Sequence, residues 1–209
     1  MNDVPLSETS SHADQVYPAS LMQLQFWFLH KYDPASPAYN VPSISVIEGD
    51  LDGEALDAAI NALSRRHQIF RTTFDIDRSG TLMQRVAPWK RTPLQHVDLR
   101  AQGKSIADEA VVEQAVIEEI GRPFDLACDA PLRAKLFRIG ERSYRLVITA
   151  HHIVFDLATK DLVAEELADE YKAAVSGKAC TDICTTTDYR AFSRWQEHWM
   201  RSEELGKMK

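Results

Sequence analysis

Cysteine is scarce: Cys128, Cys180 and Cys184 are the three thiols in 209 residues. That density excludes a disulfide-stapled scaffold. The Cys180-x3-Cys184 pair has no second ligand pair nearby, only His198 further on, so free thiols are expected rather than a structural zinc site. Long apolar runs are missing as well. The longest is Phe26-Trp-Phe-Leu29, far short of the roughly 20 residues a membrane span needs. The first fifteen residues hold Asp3, Glu8 and Asp14 without a Lys or Arg, and no apolar stretch follows them. This argues against a secretory signal and for a soluble, cytoplasmic protein. Basic residues are nowhere concentrated, and 24 Lys and Arg against 31 Asp and Glu leave a net charge of −7. Neither a nucleic acid nor an anionic membrane is an expected partner.

What is present is a composition of 44% hydrophobic and 26% charged residues, enough for one sizeable core or one lobe of a larger fold. Residues 1–16 are polar and aperiodic and read as a disordered tail, with structure beginning near Pro18. Ser20 followed by Gln23 is a capping-box pattern, and Leu21, Leu24, Trp27 and Phe28 recur at helical spacing to about Tyr32. Residues 43–49 alternate as a strand. Asp52 then opens a helix with Leu56, Ala59, Ile60 and Leu63 on one face, ending near His67. Residues 70–76 and 82–86 read as strands joined by the turn Asp77-Arg-Ser-Gly80. Ser105 is expected to cap a third helix bearing Val112, Ala115, Val116 and Ile120, stopped by Gly121 and Pro123. A hairpin of residues 132–139 and 144–149 follows. A fourth helix begins near Asp156, and a fifth begins at Thr187 or Asp188 with Phe192, Trp195 and Trp199 on one stripe. The alternation of helices and strands argues an α/β layer with a mixed sheet and flanking helices.

The chemistry-bearing cluster is His151-His152-Ile-Val-Phe-Asp156, between a predicted strand and a predicted helix. Were the strand to continue to His152, the two imidazoles would face opposite ways, so at most one enters a site while the other packs. A His near a strand end is more often a hydrogen-bonded structural residue than a catalyst. The tandem pair followed by a carboxylate shifts the balance, because a carboxylate can orient an imidazole or be held by an Arg to fix the loop. A metal site lacks further ligands at suitable spacing, and a serine triad lacks a G-x-S-x-G elbow.

Several ordered segments resemble the condensation domains of nonribosomal peptide synthetases, which share the chloramphenicol acetyltransferase-like fold. Ser20-Leu-Met-Gln-Leu-Gln-Phe-Trp-Phe-Leu29 with Ala38-Tyr-Asn-Val-Pro42 is similar to the family's opening S-x-A-Q-x-R-L-W-F-L and Y-N-x-P. Arg66-His-Gln-Ile-Phe-Arg-Thr-Thr-Phe74 resembles R-H-E-x-L-R-T-x-F. Pro123-Phe-Asp-Leu126 with Pro131-Leu-Arg133 is similar to the lead-in to the family's hairpin. His151-His152-x3-Asp156 resembles H-H-x-x-x-D-G, and Thr187-Asp-Tyr189 with Trp195 resembles the later D-Y segment.

The resemblance implies the N-terminal lobe of such a domain over residues 17–209, the family's complete enzyme being a V-shaped pair of lobes with its active site in a tunnel between them. It implies amide formation between a donor acyl thioester and an acceptor amine, each carried on the phosphopantetheine arm of a carrier protein, with no cofactor bound directly by the lobe. By resemblance His152 deprotonates or positions the amine and stabilises the tetrahedral intermediate, while His151 packs. Asp156 is structural and paired with Arg66 or Arg71. Gln25, Gln68 and Phe70 replace the family's Arg, Glu and Leu, and Leu157 stands where the family has a glycine at the tunnel wall, unless its side chain turns into the core. The implied partners are carrier proteins and a C-terminal condensation lobe or adjacent synthase domains. A second reading is a degenerate, non-catalytic module that docks carrier proteins or synthase domains, and a third is a piece of a longer chain.

Overall fold

The computed structural model describes residues 15–101, 105–178 and 189–201. Strand β1 (Gln15–Pro18) leads into α1 (Leu21–Tyr32), β2 (Asn40–Glu48) and α2 (Gly53–Arg66). A 3-10 turn (Gln68–Arg71) precedes β3 (Thr72–Ile76), β4 (Leu82–Val86) and β5 (Gln95–Asp98). Then come α3 (Glu109–Gly121), the hairpin β6 (Leu132–Arg138) and β7 (Ser143–His151), α4 (Leu157–Val175) and α5 (Tyr189–Arg201).

Local chemistry explains most of these boundaries. The Ser20 hydroxyl accepts from the Gln23 amide at 3.2 Å while the Gln23 side chain accepts from the Ser20 amide at 2.9 Å, closing the capping box of α1. Asp52 caps α2 by accepting from Glu54 and Ala55, each at 3.0 Å. Asp77 gathers the amides of Ser79 and Thr81, and Gly80 takes φ 84°, a left-handed conformation open to glycine, so the chain reverses between β3 and β4.

Four differences from the expected elements have physical causes. Gln15 and Val16, assigned to the tail, lie in a strand, because β1 pairs antiparallel with β4 and Tyr17 is buried at 4% exposure. α3 starts after Asp108 rather than Ser105, since the Asp108 carboxylate accepts from the Ala110 amide at 3.0 Å. The segment before β3 is a 3-10 turn, and β5, only four residues long and largely exposed, carries no alternation strong enough to read. Residues 1–14, Cys180, Cys184, Thr187 and Asp188 lie outside the described residues.

The strands form an antiparallel sheet in the order β1-β4-β3 and a mixed sheet in the order β2-β7-β6-β5, in which β5 and β6 run parallel. β7 is covered on both faces. Leu146, Ile148 and Ala150 meet α2 and α4 through Leu56, Ala59, Leu63, Val163 and Leu167, whereas Val147 meets α3 through Val112. Burying each Leu, Ile or Val side chain contributes about 1.5–3 kcal/mol, so burial on both faces anchors the strand that leads into the His-His motif. α5 is tied to the start of α1 by Tyr189 to Ser20 at 2.8 Å and by the Leu21 amide donating to Gln196 at 2.8 Å.

Candidate functional site

The His-His motif forms a turn at the end of β7. The His151 amide donates to the Pro131 carbonyl at 2.9 Å and the His152 amide to the Tyr39 carbonyl at 2.8 Å. The turn closes as the Val154 amide reaches the His151 carbonyl at 3.1 Å, and His151 Nδ1 accepts from the Ile153 amide at 3.1 Å. An accepting Nδ1 places the proton of the neutral ring on Nε2. His151 is only 3% exposed; burial, reinforced by the nearby His30 and His152, pushes its imidazole down to about 3. Its ring lies among His30, Phe124 and Tyr39. It packs and braces the turn.

His152 is half-buried and stacks on Phe26, ring centres 4.5 Å apart and planes 18° apart. Its imidazole makes no hydrogen bond among the described residues. One ring face is fixed by an aromatic platform while both nitrogens stay available to a ligand, the arrangement a proton-handling or positioning imidazole needs. Two residues from Ile153, Phe155 walls an apolar cavity of about 270 Å³ between β2, β7 and α4, large enough for an apolar side chain.

Asp156 lies at the head of α4, but its partner differs from the expected one. Its Oδ1 accepts from the Thr159 amide at 2.8 Å and from the Thr159 hydroxyl at 2.6 Å, and these hydrogen bonds hold the carboxyl below its ordinary range. Among the described residues neither Arg66 nor Arg71 pairs with it. Arg66 instead bridges α2 to α4 through Glu166 at 3.0 Å and Glu170, and His67 joins Glu166 at 2.6 Å. Arg71 donates to the Ala87 carbonyl at 2.6 Å, and burial lowers its guanidinium from the usual value. The cause is competition: α4 supplies two carboxylates one turn apart facing Arg66, and a helix N-terminus already satisfies Asp156. Leu157, in the first turn of α4, is 77% exposed, so its side chain does not turn into the core.

One group near the turn carried no chemical signal in the sequence. Glu119, 4% exposed at the end of α3, accepts from Arg133 at 3.0 Å, from Arg122 at 3.3 Å and from Lys135. Burial alone would raise its carboxyl, yet the three cations hold it below the ordinary range. Arg133 also caps the α3 carbonyls of Glu119 and Arg122, joined there by the Asn40 side chain. The same guanidinium lies 4.0 Å over the Phe124 ring, whose edge meets His151. Pro131-Leu-Arg133 was visible as a motif, but a partner fourteen residues earlier on a helix end was not.

The mixed sheet with flanking helices matches that of solved condensation domains, which have the chloramphenicol acetyltransferase-like fold. The condensation-domain model matches residues 13–209, and the chain belongs to the condensation-domain family. It is 33% identical over 193 residues to gramicidin S synthase 2 of Aneurinibacillus migulanus, covering 92% of this chain and 4% of that protein. It is 33% identical over 195 residues to the phosphinothricin tripeptide synthetase PhsC of Streptomyces viridochromogenes, covering 93% and 18%. Among solved structures it is similar to the starter condensation domain of rhizomide synthetase RzmA, with a TM-score of 0.78 at 22% identity over 92% of this chain and 46% of that one. It is also similar to the X-domain from teicoplanin biosynthesis in complex with OxyB, with a TM-score of 0.81 at 25% identity over 98% and 42%. The chain thus spans a small fraction of the synthetases it matches and under half of the solved domains.

Proposed function

We propose that the chain is the N-terminal lobe of a two-lobed condensation domain that forms an amide between two substrates held on the phosphopantetheine arms of carrier proteins. The observation that carries this reading is His152: stacked on Phe26, with no hydrogen bond to its ring among the described residues, on a turn fixed by backbone and His151 contacts. In the reaction the acceptor nitrogen attacks the donor thioester carbon, the C–N bond forms, the C–S bond breaks, and the amine proton ends on the departing thiol. A free α-amino group titrates near 8, so an appreciable minority is already neutral at pH 7 and needs only part of its help from a base. Positioning of the amine and stabilisation of the developing oxyanion supply the rest of the role given to His152. Coverage of 46% of a starter condensation domain supports the assignment to one lobe. The experiment is amide formation from matched donor and acceptor carrier proteins. The chain alone should be silent, and the chain joined to a following condensation lobe should turn over; turnover by the isolated chain would overturn the reading.

A second reading, a docking module without catalysis, is favoured by Leu157 in the glycine position and by likeness to an X-domain solved with OxyB. Retention of carrier-protein binding, with no turnover even in the two-lobed form, would establish it in place of the first.

A further inference from the structure

His30 has no task in the condensation reading, yet it is buried at 6% exposure in the last turn of α1, with its ring perpendicular to His151 and centres 5.6 Å apart. His151 in turn uses its Nδ1 lone pair to hold the Ile153 amide, and the next residue is His152. We propose that His30 is a positioning residue for the turn that carries His152, taking up the first proton to reach the buried pair so that His151 keeps the lone pair that holds Ile153. The consequence for activity rests on the reading of His152 given above; the proton order does not.

The geometry dictates that the pair shares one charge at most, since two imidazolium rings in ring contact away from water repel strongly. Two features send the first proton to His30. It sits at the C-terminal end of α1, where the unpaired carbonyls favour a cation. Burial and then Lys31 hold the His30 imidazole below its ordinary value, and the Asp125 carboxylate partly offsets them. His151 has no such help among the described residues: the chargeable groups acting on it there are His30 and His152, and it also meets the Tyr39 and Phe124 rings and the Pro131 carbonyl that takes its amide. Protonating His151 would also cost the Ile153 hydrogen bond, because Nδ1 would become a donor facing a donor.

The test is a titration of the full chain, ¹⁵N-labelled and followed by long-range imidazole ¹H–¹⁵N spectra from pH 7.5 to 2.5, for wild type, His30→Phe and His30→Gln. In wild type, His30 should titrate first while His151 Nδ1 keeps the shift of an unprotonated acceptor. In both variants the His151 midpoint should move upward by about half a pH unit or more as the neighbouring charge is lost, and Ile153 amide protection should fail at correspondingly higher pH. Protonation of His151 before His30 in wild type, which needs no variant to fold, would overturn the proposal. So would an unmoved His151 midpoint in either variant that folds, including the case in which His30→Phe preserves it by packing alone. A His152 that proves dispensable for amide formation would leave these spectra unchanged, so the two failures are separable.

Discussion

His151 Nδ1 accepts the Ile153 amide proton at 3.1 Å, which makes the first histidine of the motif a neutral brace, while the half-buried ring of His152 makes no hydrogen bond among the described residues. Neutrality is therefore part of the fold. The native imidazole is depressed to about 3 whereas an unfolded His titrates near 6.5, so as pH falls through 6.5 the unfolded state takes a proton that the native state refuses. Stability should be independent of this group above pH 7 and fall by about 1.4 kcal/mol per pH unit below 6.5, reaching roughly 2 kcal/mol by pH 5. Urea unfolding at pH 7, 6 and 5 measures the slope. His151→Asn, whose side-chain oxygen can accept in place of Nδ1 and does not titrate, should flatten it; an equal slope in the variant would assign the acid sensitivity elsewhere.

Removing the Asp156 carboxylate takes away a helix cap rather than half of a buried ion pair. Asp156→Ala should cost about 1 kcal/mol, Asp156→Asn less, and Asp156→Ala should add to Arg66→Ala in a double-mutant cycle. A cost of 3–5 kcal/mol with strong coupling to Arg66 or Arg71 would restore the ion-pair expectation.

Glu119 is a buried carboxylate held by three cations. Glu119→Gln leaves Arg133 and Lys135 part-buried beside a neutral group and should cost roughly 3–5 kcal/mol. Arg122→Ala, removing the outermost cation, should cost under about 1 kcal/mol. Thermal unfolding of the two variants separates the cases, and similar losses would mean that the cluster is solvated.

Leu157→Gly gives a stability readout independent of catalysis. Because the side chain is 77% exposed, the loss should be about 1 kcal/mol, the helix-propensity difference, rather than the 2–5 kcal/mol of a core leucine truncation. If Leu157 narrows a passage between lobes, the same variant should raise turnover in the two-lobed form.

Elements whose signals are local were legible in the sequence. The Ser20–Gln23 box, the Asp52 cap and the Asp77–Gly80 turn are each written within five residues and lie where the residue chemistry demanded. β1 and β5 were not legible, because each is a four-residue strand whose existence depends on a partner far along the chain. The site divides in the same way. The turn after β7 follows from the pattern around residues 146–156, which also says that one of the two histidines packs, without saying which; the buried one is His151. The partner of Asp156 does not follow from that pattern, since Thr159 satisfies it locally while Glu166 and Glu170 claim Arg66 across α2 and α4. His30 and Glu119 were silent because one reads as an ordinary helix-end cation and the other as a surface charge.

The most direct measurement is the rate of amide formation by the chain joined to a following condensation lobe, with matched carrier-bound donor and acceptor, comparing wild type with His152→Ala. A positioning and proton-handling imidazole is worth roughly 10²–10⁴-fold, so the variant should lose at least about 100-fold in kcat while still binding both carrier proteins. Equal rates would contradict the assignment of His152, and with it the account of this turn as the centre of a condensation site.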